Sequence, residues 1–165
     1  MTKTPVLEHP SDENAKTPDK TWRLLFLDNF ENNRQLKLTC KDEGYAVVSA
    51  LTMQDAWAFL DGKDHVDVIV CAAHLQEESV FDFLKAVREN EVHRDVTFLI
   101  LSLEPGATGA RLDHSAARSG MALGASAYLI MPKFDTCELL AQIKQLQPSV
   151  PRLQQDSASH KKVSR

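Results

Sequence analysis

Two short segments of this chain are apolar almost without a break: residues 66–72 (VDVIVCA) and residues 96–101 (VTFLIL). A β-strand that is apolar on both faces has to be covered on both faces, which calls for helices above and below a largely parallel sheet. The rest of the chain has to supply those helices.

The pattern around the two runs does so. Trp22 to Asp28 is a short apolar run ending at an acid, and Tyr45 to Ala50 is short and partly β-branched. Between them, Asn32 to Glu43 carries Leu36, Leu38 and Cys40 among polar residues and stops at Gly44. Thr52 is placed to cap a helix through Leu60, with Ala56, Phe59 and Leu60 at helical spacing. Ser79 is placed to cap a helix that carries Val80, Phe83, Leu84 and Val87. After residue 101 the chain reads as a loop bearing Gly and Pro, then a helix from about Ala110 to Leu123, stopped by Gly124. Ala127 to Met131 is a last strand, and Asp135 caps a final helix through Leu146. Strands alternating with helices over short links predict right-handed crossovers. The expected product is an α/β flavodoxin-like, doubly wound, five-stranded parallel sheet in the order 2-1-3-4-5, with five helices. Ligands in such sheets bind beyond the carboxyl ends of the strands, near the switch between strands 1 and 3. That singles out Asp28, Asn29, Ala72, Ala73, Ser102 and Met131.

Residues 1–20 and 148–165 show no apolar periodicity and read as disordered tails around one domain at 21–147. Hydrophobic residues at 43% and charged residues at 25% suit a globular core. A net charge of −4 argues against a general nucleic-acid binder, which would carry a basic stripe. No apolar run approaches a membrane span and the N-terminus has no signal-peptide core, so a cytoplasmic location is expected. Cys40, Cys71 and Cys137 are too widely spaced for a zinc site and read as buried small hydrophobes.

Five fragments in order carry a family likeness: residues 25–29 (LFLDN), 43–47 (EGYAV), 67–72 (DVIVCA), 98–102 (FLILS) and 124–132 (GASAYLIMP). Over roughly residues 22–146 the chain resembles a response-regulator receiver domain. In that family a histidine kinase donates a phosphoryl group to an aspartate at the end of strand 3. An acid pair after strand 1 helps hold magnesium, a hydroxyl residue ends strand 4, and a lysine precedes the proline after strand 5. The resemblance puts Asp28 and Asn29 at the acid pair, Ala72 at the acceptor, Ser102 at the hydroxyl and Met131 at the lysine. Tyr128 holds the aromatic switch position. Gln76 and Val80 replace the usual proline-and-glycine turn, and the stretch after Ser102 is several residues longer than usual.

Phosphoryl transfer needs a nucleophilic oxygen in line with the donor, and Ala72 offers a methyl group. Magnesium needs oxygen ligands, and Asp28 is the one sure carboxylate left, so magnesium binding is expected to be weak or absent and no cofactor is expected. A lysine without the acceptor aspartate would be a poorly paired cation, so its replacement by Met131 is a matching loss. The resemblance therefore implies a degenerate receiver, a pseudo-receiver that acts as a phosphorylation-independent interaction module and not as an enzyme. Its partner would be a signalling protein, and the face formed by the fourth helix, fifth strand and fifth helix would bind it or a second copy of the chain. Two alternatives stay open: a phosphorelay receiver using Asp28 or Asp67, and a small-ligand sensor using the emptied pocket.

Simpler structural roles stand beside these. Asp28 can cap the following helix, Ser102 can be a strand-end hydroxyl, and Tyr128 can be a half-buried strand aromatic. Arg111, His114 and Arg118 share a helical face, with Leu112 and Ala116 on the other side, and form either a docking patch or a solvated face. His74 has no second His, Cys or acid at suitable spacing and reads as a loop histidine. Residues 105–109 (PGATG) lack the Lys-Ser/Thr of a phosphate loop.

Overall fold

The computed structural model describes residues 22–146; the segments expected to be disordered tails lie outside the described residues. In chain order the elements are β1 (Arg23–Leu27), α1 (Phe30–Asp42), β2 (Ala46–Ala50), α2 (Met53–Leu60), β3 (Val68–Ala72), α3 (Val80–Glu89), β4 (Thr97–Leu103), α4 (Gly106–Ala122), β5 (Ala127–Met131) and α5 (Thr136–Leu146). The five strands form one parallel sheet, as the alternation requires, in the expected order β2-β1-β3-β4-β5.

Period-two alternation divides the strand side chains between two cores. One face sends Leu25, Leu27, Ile69, Cys71, Phe98 and Ile100 against α2 and α3. The other sends Leu24, Phe26, Val68, Val70, Leu99 and Leu101 against Leu36 and Cys40 of α1 and Leu139, Leu140 and Ile143 of α5. β3 is buried at all five positions, as its unbroken apolar sequence demands.

Helix starts follow side-chain chemistry. Thr52, Ser79 and Asp135 accept hydrogen bonds from the backbone N–H of Asp55, Asp82 and Glu138, satisfying amides that the first helical turn leaves without partners. At α1 the cap is Asn29, which accepts from the Asn32 amide, and not Asp28. Gly44 and Gly124 end α1 and α4 at φ of 88° and 104°, a left-handed backbone that side chains with a Cβ rarely adopt.

Two expectations need correction. The segment after β4 is not a long loop: two residues link Leu103 to α4, which begins at Gly106 and so absorbs the stretch read as Gly- and Pro-bearing loop. The reversal is made by two left-handed residues, Glu104 at φ 45° and Gly106 at φ 70°, on either side of Pro105, whose backbone is right-handed at φ −68°. Of the cysteines, Cys40 and Cys71 are buried but Cys137, on α5, is exposed.

Candidate functional site

The tight reversal after β4 decides what α4 lays against the sheet. Its inward side is built from Gly109, Asp113, Ala116, Ala117 and Gly120, which recur at helical spacing. Gly120 is buried, and a Cβ there would stand 3.0 Å from Cδ1 of Ile100 and 3.4 Å from a ring carbon of Tyr128, so the helix approaches the sheet closely. The expected polarity of the helix is thereby partly reversed. Leu112, read as lying opposite the basic face, is 62% exposed, and Met121 is exposed too. Asp113 is fully buried. Arg111, His114 and Arg118 are exposed on the outer side.

Asp113 joins three residues from three other parts of the chain. Ser102 Oγ donates to its Oδ2 at 2.6 Å, and the Tyr128 hydroxyl donates to its Oδ1 at 2.6 Å. His74 Nε2 lies 3.0 Å from the same Oδ1 and, against a carboxylate, is the protonated ring nitrogen. A buried carboxylate is tolerated where donors surround it, and here three do. Burial, with the bond to Asp113 and the negative charge beside it, pushes the Tyr128 phenol well above the ordinary tyrosine range. His74 is in a loop, as expected, but it has an acidic partner. That partner lies 39 residues away in sequence, beyond the reach of a spacing argument.

The other singled-out residues divide between two places. Asp28 and Asn29 line a cavity of about 590 Å³ at the carboxyl edge, together with Phe30, Leu51, Thr52 and residues 74–78 (HLQEE). Asp28 Oδ1 accepts from the Asn29 amide at 2.6 Å and from Asn32 Nδ2 at 3.1 Å, so the acid braces the start of α1. Burial raises its carboxyl above the usual range despite these two bonds. Glu78 accepts from the Met53 amide and so secures the start of α2 across the cavity. Ala72, Ser102 and Met131 are not among the lining residues: Ala72 ends β3, Ser102 is bound to Asp113, and Met131 is fully buried among the residues that face α1 and α5. Asp67 lies at the opposite end of β3, buried, accepting from the Arg23 amide at 2.8 Å.

Solved structures match this arrangement over nearly their whole length. A protein from Chloroflexus aurantiacus described as a response regulator is 26% identical, with 77% of this chain and 98% of that one covered and a TM-score of 0.66. The chemotaxis response regulator CheY4 of Vibrio cholerae is 24% identical over 76% of this chain and 98% of its own, with a TM-score of 0.64. A response regulator from Thermotoga maritima gives 23%, 76%, 97% and 0.62 for the same quantities. The chain has the response-regulator receiver fold. No protein-family model and no curated protein sequence matches it. Receiver domains are signalling modules, not classical enzymes. Among the described residues no helix is long and apolar enough to cross a membrane.

The sequence reading missed Asp113. The signal available was the run of small residues, Gly109, Ala116, Ala117 and Gly120, which marks the close-packed side of α4 and puts Asp113 in its middle.

Proposed function

We propose that this chain is a phosphorylation-independent protein-interaction module of bacterial, cytoplasmic signal transduction, a receiver whose acceptor aspartate has been replaced by Ala72. The observation that carries the reading is Ala72 itself, at the end of β3 beside Leu101 of β4, with no oxygen to attack a phosphoryl donor. Met131, at the position of the family's lysine, is packed into the core and offers no charge to a phosphoryl group.

Substitute acceptors are poorly suited. Asp67 is buried at the far end of the sheet, Asp113 is buried with three donors, and Asp28 favours its neutral form more than an ordinary carboxyl does. Asp28 Oδ1 already accepts from the Asn29 amide and from Asn32 Nδ2, which leaves this carboxylate less free to serve a magnesium ion. Output then depends on docking. Arg111, His114 and Arg118, flanked by exposed Leu112 and Met121, give α4 a mixed basic and apolar outer side suited to a signalling partner or a second copy of the chain.

Incubating the protein with acetyl phosphate and magnesium and measuring its intact mass tests the proposal. An unchanged mass is expected; a stoichiometric gain of one phosphoryl group overturns it. A second reading, a small-ligand sensor, is favoured by the cavity beside Asp28, whose volume is in the range of small-molecule sites. Saturable stabilisation by one member of a nucleotide panel in thermal melts would favour that reading.

A further inference from the structure

Ser102 is the penultimate residue of β4, Tyr128 belongs to β5, His74 follows β3, and a single carboxylate on α4 engages all three. A side chain that joins four segments restricts each of them. If α4 moved away from the sheet, Ser102 and Asp113, both buried now, would lose the 2.6 Å bond between them. If the Tyr128 ring swung outward, its hydroxyl would leave Oδ1 of Asp113 and strip a buried charge of one donor. Gly120 adds a steric element, because the ring of Tyr128 occupies the space beside its missing Cβ. His74 differs from the other two in being about half exposed, and it also lines the cavity beside Asp28.

We propose that Asp113 is a built-in clamp that holds Ser102 and Tyr128 against α4 in one fixed arrangement, and that His74 ties this clamp to the carboxyl-edge cavity. In functional terms the inference rests on the phosphorylation-independent role proposed above. The clamp supplies, from within the chain, the fixed α4–β5 surface that a modification would otherwise have to induce. A negative charge is already present at Ser102 and Tyr128, carried by the helix that presents Arg111 and Arg118 to solvent. Whatever displaces His74 from the cavity side removes one of the three donors and loosens the other two.

Amide and aromatic NMR spectra of the full chain, compared with those of Asp113→Asn, Tyr128→Phe and His74→Ala, test this. In the wild-type protein Tyr128 should give one sharp set of ring signals. In Asp113→Asn the ring signals of Tyr128 and the amides of Ser102, α4 and β5 should shift and broaden, while Arg23 and Asp67 at the opposite end stay still. His74→Ala should move the same residues by less. Unchanged Tyr128 and Ser102 signals in Asp113→Asn overturn the clamp. Should that variant fail to fold, the other two decide: shifts reaching His74 and Ser102 in Tyr128→Phe support the clamp, and shifts confined to β5 overturn it. The phosphodonor experiment is independent of these spectra. A chain that gains a phosphoryl group but loses its fixed Tyr128 in Asp113→Asn refutes the proposed function and keeps the clamp. A chain that gains none and whose Tyr128 ignores Asp113 refutes the clamp alone.

Discussion

The hydroxyl of Ser102 donates to Oδ2 of Asp113 at 2.6 Å, and neither residue is open to solvent. Such a bond costs little while it is made and a great deal when one partner is removed, because the other stays buried without a substitute. Asp113→Ala strands the Ser102 and Tyr128 hydroxyls together and opens a small void beneath α4. It should destabilise the domain by about 2–4 kcal/mol, read from urea denaturation. Ser102→Ala removes one donor and leaves two, and should cost roughly 1 kcal/mol. A loss for Asp113→Ala no larger than that for Ser102→Ala would show that the carboxylate is not shared as described.

Tyr128 gives a pH signature. Its phenol titrates above the ordinary tyrosine value because ionisation would put an anion in a half-buried place against the Asp113 carboxylate. The folded protein therefore keeps this proton to higher pH than the unfolded chain does. The associated stability is fully present below the ordinary tyrosine pKa of about 10 and is lost as pH rises through the folded value. Ultraviolet titration of wild type against Tyr128→Phe should assign the late-ionising phenol to Tyr128, and Asp113→Asn should bring it down.

Asp28 follows the same sign as Tyr128, but in the carboxyl range, so at neutral pH its stability has already been lost. Burial raises its carboxyl above the usual range, so its ionised form weakens the fold at neutral pH. Asp28→Asn keeps an oxygen for the Asn29 amide and removes the charge. Its melting temperature should exceed that of wild type at pH 7, and the gain should shrink as pH falls through the folded pKa and vanish below the unfolded one. A lower melting temperature at pH 7 would mean that the ionised carboxylate has a stabilising partner after all.

Gly120 should tolerate one methyl group and little more. Alanine gains up to about 1 kcal/mol of helix propensity over glycine, against a 3.0 Å contact with Cδ1 of Ile100 that a small side-chain shift relieves. Gly120→Ala should be close to neutral. Gly120→Val, which must displace Tyr128 or lift α4, should cost about 1–3 kcal/mol and shift the Tyr128 ring signals.

Thiol labelling checks the cores. Cys137 is exposed, whereas Cys40 and Cys71 are buried, and burial with Glu43 nearby pushes the Cys40 thiol up to about 12. A thiol-disulfide reagent should label Cys137 alone in the native protein and all three residues in denaturant.

The sheet was legible because residues 66–72 and 96–101 admit few other fates, and the alternating helices narrow the strand order to the few doubly wound arrangements, of which the observed one is among the commonest. Helix starts at Thr52, Ser79 and Asp135 were readable from local hydrogen-bond chemistry. α4 was not. Its stop at Gly124 was read correctly, but its start lies in a left-handed turn at Glu104, a residue type that does not advertise one. Its inner side is made of small residues and an acid, so a search for apolar periodicity puts Leu112 inside and Asp113 outside. The partnership of His74 with Asp113 comes from packing alone.

The proposed loss of phosphorylation is tested by an amide NMR titration of the intact protein with magnesium and then beryllofluoride, which mimics a bound phosphoryl group. The proposed role predicts that the signals of Asp28, Ala72, Ser102 and Tyr128 keep their positions throughout, because Ala72 has no side-chain oxygen to offer the mimic and Asp113 already engages Ser102 and Tyr128. Saturable shifts at Ala72 and Ser102, accompanied by movement of Tyr128, would contradict it and return the domain to phosphorylation-dependent signalling.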